Sequence, residues 1–264
     1  MTPGTQPRMI IAHRGGVVDA ERSENSFKAL QEAILRGYTH VEIDAKITAD
    51  GHVICFHNDD LMEEADMEGK ISEMPRDEVT EIVLTRSGET IPIFEAYCAH
   101  CAGSIDVMID LKGCENKHMD QYATEIETAL IKHKLIQNAL ILINRVPKNN
   151  QDKIAERFLG KIKCSWRESL KKTQKAVSQD PDFASKYYVF NQGGDFTAQD
   201  VDGFRELAII KTDVVLRLFE IRQFLNLNRT TIKTRPIEQT FYLELCMSIV
   251  TKLGFRHISR PSKT

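Results

Sequence analysis

The sequence predicts a (β/α)8 barrel with a small insertion after its third strand. Three observations lead there. Short apolar runs alternate with amphipathic segments along the 264-residue chain, the order that builds parallel βαβ units. About eight strand-like runs in about 250 residues is the usual size of such a barrel. Polar residues gather at the C-terminal ends of those runs, where a barrel carries its site. A doubly wound open sheet is the competing architecture. It would want a glycine-rich phosphate loop after the first strand, and "HRGGVV" at 13–18 lacks that three-glycine spacing.

The elements follow in order. "MIIAH" (9–13) reads as the first strand. In "NSFKALQEAILRG" (25–37), Phe27, Leu30 and Ile34 share a helical face, Asn25 or Ser26 can cap the start and Gly37 can end it. "THVEIDAKI" (39–47) and "HVICFH" (52–57) are the next strands, separated by the turn signal Asp50-Gly51. Residues 58–92 hold many charges and few core-like runs, and read as the insertion over one end of the barrel. "IFEAYCAHCAG" (93–103) looks helical, "SIDVMIDLKG" (104–113) is a strand, and a long helix covers roughly 119–133. "NALILIN" (138–144) and "KIKCSW" (161–166) follow, each with a helical partner. "YYVFN" (187–191), the helix "TAQDVDGFRELA" (197–208), the helix "IEQTFYLELCMSIVTKLG" (237–254) and a last strand "FRHIS" (255–259) complete a single domain over residues 1–264.

Composition narrows the function. Hydrophobic residues are 42% and charged residues 28%, so a sizeable core is expected. A net charge of −3 argues against a general nucleic-acid partner, which wants a basic surface. No run approaches the roughly 18 apolar residues of a membrane span. The opening "MTPGTQPRMI" lacks an apolar secretion segment, so a cytoplasmic setting is expected. Six cysteines are present, and a chain of this size does not need disulfides, so they read as reduced. Cys98-x2-Cys101 followed by Cys114 and His118 resembles a zinc ladder. The first pair falls in a helical segment, where that spacing only puts two thiols on one face, and a strand separates it from the second pair.

The chemistry sits on the strands. Side chains alternate along a strand, so Glu42 and Asp44 share one face while Val41, Ile43 and Ala45 take the other. Asp110 and Lys112 share a face in "DVMIDLKG", and His57 shares one with Val53 and Cys55. Strand one ends on His13 and Arg14, with Gly15-Gly16 free to turn the backbone away. Two like charges 4 Å apart repel by about 4 kcal/mol at an effective dielectric near 20, and a third carboxylate makes this worse. A hard divalent cation, Mg²⁺, Ca²⁺ or Mn²⁺, relieves it, because carboxylate oxygens suit such ions. The two histidines fit proton transfer. His40, His52, His100, His133 and His257 read as ordinary core or surface residues.

"AHRGG" (12–16), "SENS" (23–26), "EIDAKITADGHVICFHND" (42–59), "GETIPIFEA" (88–96) and "MIDLKG" (108–113) together closely resemble the glycerophosphodiester phosphodiesterases. The resemblance covers about residues 9–113 and weakens beyond, although "GFRHISRP" looks like that family's last strand. It implies a (β/α)8 barrel using one divalent metal, usually magnesium or calcium. By that resemblance Glu42, Asp44 and Asp110 match metal ligands, and His13 and His57 match a general acid–base pair. Arg14 and Lys112 match phosphate-binding positions. Glu24 and Asn25 match an "EN" motif beside the site. The implied reaction yields glycerol 3-phosphate and an alcohol from a small glycerophosphodiester, through attack by the substrate's own 2-hydroxyl. Neither histidine is assigned as acid or base.

The chain departs from the family pattern in four places. Asp110 stands where glutamate is usual, Asn58 follows His57 where aspartate is usual, and "SENS" replaces a proline-led version. A tryptophan expected on a late strand is missing from both candidate segments, "RTTIKTRPIE" (229–238) and "DVVLRLFEIR" (213–222); Trp166, the sole tryptophan, lies earlier. Two alternatives stay open. One is lysophospholipase D or sphingomyelinase D-like action on a lipid, with Leu61, Met62, Met67 and Ile71 lining a pocket. The other is a non-catalytic phosphoester-binding barrel. Head group, preferred metal and oligomeric state are not written in the sequence.

Overall fold

A computed structural model describes residues 11–113, 118–166 and 168–189, all within one compact unit, Met1–Phe219. The expected helices at 197–208 and 237–254, the last strand and both late segments without tryptophan lie outside the described residues. So do Cys114, Cys246 and His257.

In chain order the elements are β1 (Ile11–Ala12), α1 (Phe27–Leu35), β2 (His40–Ile47), β3 (Val53–Cys55), α2 (Met62–Ala65), a 3-10 turn (Ile71–Glu73), α3 (Arg76–Val79), α4 (Phe94–Cys101), β4 (Asp106–Leu111), α5 (Met119–Lys132), β5 (Leu140–Leu142), α6 (Lys148–Arg157), β6 (Lys163–Trp166), α7 (Leu170–Gln179), α8 (Phe183–Lys186) and β7 (Tyr187–Val189). The sheet path is β1-β2-β4-β5-β6-β7, with each neighbouring pair parallel. Helices connect the parallel strands, as crossovers between such strands require.

The α1 helix starts where the sequence signals it. Ser26 is the N-cap, and its hydroxyl accepts the Ala29 amide at 3.2 Å. Gly37 follows the end at φ +74°, the left-handed residue that closes many helices. The apolar stripe Leu30 and Ala33 is buried against the sheet.

The two sheet faces bury different things. Val41, Ile43, Ala45, Val107, Ile109, Leu111, Ile141 and Cys164 face the helices and form the main core with Leu30, Phe94, Tyr97, Tyr122, Ile126 and Phe158. Burying one such leucine or phenylalanine contributes about 1.5–3 kcal/mol. The Tyr122 hydroxyl also donates to the Ala45 carbonyl at 2.5 Å, pinning α5 to β2. The opposite face carries a smaller cluster: Ile11, Met108, Leu140, Leu142 and Tyr188. Burial on both faces explains why β2 and β4 are nearly continuous in buried residues, as a parallel sheet demands.

One strand corrects the sequence reading. Val53–Cys55 is not a further barrel strand running parallel to β2. It pairs antiparallel with it, Ala45 opposite Cys55 and Ile47 opposite Val53. The Asp50-Gly51 turn, with Gly51 at φ +88°, makes a hairpin rather than a crossover, since only antiparallel strands can be joined so briefly. The insertion therefore opens with this hairpin and carries its own core of Ile54, Phe56, Leu61, Ile71, Val79, Ile82, Leu84 and Ile91. Leu61 and Ile71 are fully buried there and line no lipid pocket, whereas Met62 and Met67 are exposed. Among the described residues no helix is long and apolar enough to cross a membrane.

Candidate active site

The sheet register assembles the carboxylates. Glu42 lies level with Met108, and Asp44 lies level with Asp110, on the neighbouring parallel strands. Asp110 is in turn level with Leu142. Strand alternation puts all three carboxylates on the face of Met108 and Leu142, away from the helices. The apolar cluster of that face floors the site. Each carboxylate is buried, and their ligand oxygens all lie within 4.8 Å of one another.

Such a cluster needs cations and donors, and the chain supplies them. The Lys112 ammonium lies 2.6 Å from Asp44 Oδ1 and 2.6 Å from Asp110 Oδ2, with its side chain only 3% exposed. Asn25 reads Asp44 twice: its amide donates to Oδ2 at 2.8 Å, and its Oδ1 accepts the Asp44 backbone N–H at 3.1 Å. Burial by itself would push the Asp44 carboxyl up. Lys112 first, then His57 and the Asn25 hydrogen bond, outweigh burial and hold it below the usual carboxylate range. Lys112 was expected to hold phosphate, and its closest partners here are these carboxylates.

Glu42 is held from the loop after β1. Its Oε2 accepts the Arg14 backbone N–H at 2.9 Å and lies 3.3 Å from His13 Nε2. The Arg14 guanidinium pairs with Glu24. Arg14 and Asn25 both sit at φ +55°, a costly region for residues other than glycine. They are tied together by the Asn25 amide, which donates to the Arg14 carbonyl at 2.8 Å. Gly15 and Gly16 allow this close approach. A Cβ on Gly15 would sit 2.3 Å from the Asn25 Cα, and one on Gly16 2.1 Å from the Ala29 carbonyl oxygen. The Gly15 N–H donates to the Glu42 carbonyl at 2.6 Å, and the Tyr97 hydroxyl donates to the Gly15 carbonyl. Tyr97 and this second tie were not legible in the sequence; nothing in the pattern of α4 separates Tyr97 from an ordinary core residue.

His57 arrives by a route that alternation alone would miss. Continued past Cys55, alternation would put His57 on the face of Val53 and Cys55, which belongs to the main core. The strand instead stops at Cys55 and the chain bends at His57. The Phe56 amide still donates to the Asp44 carbonyl at 3.0 Å, so the antiparallel return brings His57 back beside the acids. His57 Nδ1 lies 2.7 Å from Asn58 Oδ1, and the Asn58 amide donates to Glu63 Oε2 at 3.1 Å. The Glu63 contact fixes the Asn58 amide, so its oxygen faces the ring and His57 must carry its hydrogen on Nδ1. Burial pushes the His57 pKa down, Asp44 pushes it up, and Lys112 and Arg14 push it down again; the net is below the ordinary imidazole value.

Trp166 does not enter this site. It shares the helix-side parity of Cys164, packs edge-on against Phe183 at 4.9 Å and donates its indole N–H to Thr173 Oγ1 at 3.0 Å. His40, His52, His100 and His133 each bond a nearby structural partner: Thr39, Glu125, the Ala96 carbonyl and Glu95.

The sequence profile of the glycerophosphoryl diester phosphodiesterase family matches residues 13–186, well over half of the chain. The chain belongs to this family. Glycerophosphodiester phosphodiesterase 1 of Homo sapiens is 28% identical over 116 residues, 40% of this chain and 34% of that protein. The Rattus norvegicus protein of the same name is 24% identical over 147 residues, 52% of this chain and 43% of that protein. The chain thus spans less than half the length of these relatives. An Oleispira antarctica phosphodiesterase, solved in complex with the product sn-glycerol-3-phosphate, is 21% identical with a TM-score of 0.58, covering 84% of this chain and 97% of that one. A glycerophosphodiester phosphodiesterase from Parabacteroides distasonis has the same TM-score of 0.58 at 18% identity, covering 84% and 98%. At these identities the likeness bears on fold: the glycerophosphoryl diester phosphodiesterases are (β/α)8 barrels, and this chain shares their architecture.

Proposed function

We propose that this chain hydrolyses glycerophosphodiesters to glycerol 3-phosphate and an alcohol, with one divalent cation and a pair of histidines. The observation that carries the reading is the cluster of three buried carboxylates, Glu42, Asp44 and Asp110, with His13 beside the first and His57 beside the second. The family and the product held by the Oleispira antarctica relative support the substrate class.

The donor set fits the cation. Every ligand is a carboxylate oxygen, which suits Mg²⁺, Ca²⁺ or Mn²⁺, while the thiols of Cys55, Cys98 and Cys101 belong to the main core on the other side of the sheet. When bound, the cation would supply charge stabilisation for the phosphodiester and for the charge that grows at phosphorus. Arg14 adds a planar fork and Lys112 a point charge to the same end. His57 carries hydrogen on Nδ1, so Nε2 has the lone pair and acts as the base toward the substrate's 2-hydroxyl. As that oxygen bonds phosphorus, the P–O bond to the alcohol breaks. His13 lies beside the Glu42 carboxylate; acting as an imidazolium, it gives one proton to the leaving alcohol and is left neutral. In the second step the roles reverse: His13 takes a proton from water, and His57 returns one to the 2-oxygen as the ring opens. Holding nucleophile and phosphorus in one molecule makes the first step efficient.

Glycerophosphocholine turnover with and without added Mg²⁺ or Ca²⁺ tests this. Cation-dependent release of glycerol 3-phosphate is expected, falling roughly 10²–10⁴-fold in His13→Ala and in His57→Ala. Near-normal turnover in either variant, with the cation bound, would remove that histidine from the mechanism. Preference for lysophosphatidylcholine would move the substrate to a lipid, and no turnover of either would favour a binding role.

A further inference from the structure

Glu64 is a buried carboxylate that the proposed chemistry does not use. It lies on α2 of the insertion, only 3% exposed, a state that glutamate adopts only when paired. One carboxylate oxygen, Oε2, accepts the backbone N–H of Glu24 at 3.3 Å, while Oε1 lies 3.3 Å from the Arg86 guanidinium. Its own backbone carbonyl is gripped twice by Thr85, from N at 2.8 Å and from Oγ1 at 3.1 Å. Leu61, fully buried in the insertion core, anchors the start of that short helix. Glu24 in turn pairs with Arg14, so two acids lie side by side between two guanidiniums, in the order Arg14, Glu24, Glu64, Arg86. The insertion holds the same loop elsewhere: the Ser87 amide donates to Ser23 Oγ at 3.1 Å, and the Lys28 ammonium to the Ser87 carbonyl at 2.5 Å.

Two carboxylates side by side raise each other's energy, and burial pushes both Glu24 and Glu64 up. If the task of Glu64 were to neutralise Arg86, water could do it, since that side chain is 32% exposed. The Glu24 amide has no such alternative, because it is buried against the site. We infer that Glu64 is a positioning residue, through which the insertion fixes Glu24 and thereby aims the Arg14 guanidinium at the substrate phosphate. This rests on the reading that Arg14 binds that phosphate. Metal affinity belongs to other residues and is a separate quantity.

The test compares inhibition by sn-glycerol 3-phosphate with Ca²⁺ affinity by calorimetry, in wild type, Glu64→Ala, Glu64→Gln, Arg14→Met and the double variant Arg14→Met/Glu64→Ala. Glu64→Ala should weaken the phosphate ligand on the order of tenfold, as residues in one network do, and leave Ca²⁺ within about twofold. Glu64→Gln keeps an oxygen for the Glu24 amide and should restore most of the phosphate affinity. In the Arg14→Met background, Glu64→Ala should add nothing further. Unchanged phosphate affinity in Glu64→Ala, or losses that simply multiply in the double variant, would overturn the inference while leaving Arg14 in place. An Arg14→Met protein with normal phosphate affinity would instead overturn the reading beneath it. Should Glu64→Ala not fold, Glu64→Asp withdraws the carboxylate by one methylene and carries the same expectation.

Discussion

Replacing Lys112 with methionine removes the ammonium that lies 2.6 Å from both Asp44 and Asp110. Methionine keeps much of the length and apolar contact of the stem, so the change is mainly one of charge. Asp44 is fully buried and Lys112 nearly so. Removing one partner of a buried ion pair costs about 3–5 kcal/mol, because a charge is left without compensation. For a chain of this size, 1 kcal/mol moves Tm by about 2–4 °C, so a fall of roughly 6–20 °C is expected in chelator. Saturating Ca²⁺ should recover much of it, since a ligand at 100 times its Kd adds about 2.7 kcal/mol. Lys161→Met is the control: that lysine is half exposed beside Glu127, and its loss should cost less than about 1 kcal/mol. Differential scanning calorimetry with chelator and then with Ca²⁺ reads both. A Lys112→Met protein within about 1 kcal/mol of wild type in chelator would show that Lys112 does not neutralise the cluster.

Three further outcomes follow from single contacts. If His57 is the base, it must be neutral to act, and a lowered pKa keeps it neutral to lower pH. The acid limb of kcat/KM should then have its midpoint below about 6.5; Asn58→Ala removes a bond that raises the His57 pKa and should move the limb lower still, so a shift upward contradicts the assignment. Gly16→Ala drives a Cβ to 2.1 Å from the Ala29 carbonyl oxygen at φ +141° and should cost roughly 3 kcal/mol or more in urea unfolding, whereas Gly37→Ala, with open space around it, should cost only about 1–2 kcal/mol. Burial pushes the Cys101 and Cys164 thiols up to about 12. Mass spectrometry should therefore find both unalkylated by iodoacetamide in the native protein at pH 8 and alkylated after denaturation; rapid native labelling would contradict their burial.

Much of the site was legible because strands obey a period of two. "VEIDA" places Glu42 and Asp44 on one side whatever the rest of the chain does, and "MIDLK" does the same for Asp110 and Lys112. "HRGG" announced a turn that only glycine could make, and the structure shows the atoms a side chain would strike. The same rule failed at His57. Alternation holds only while the chain remains a strand, and the bend after Cys55 ends it. Glu64 gave no signal, because a buried carboxylate inside "LMEEADMEGK" reads like its solvated neighbours.

Local sequence was enough for the alternation of strands and helices, the faces of the carboxylates, the cap of α1 and the glycine turn at the end of β1. These depend on local backbone geometry, which a few neighbouring residues specify. Tertiary structure alone decided that Val53–Cys55 returns antiparallel, because pairing direction depends on which strand lies alongside. It decided that Trp166 faces the helices, since which face of a strand meets them is set by how the helices pack on the sheet and not by the strand. It also decided that Lys112 bridges two carboxylates and that Glu64 grips the loop carrying Glu24. Charges brought together from distant positions become partners only when burial removes the water that would otherwise solvate each one separately.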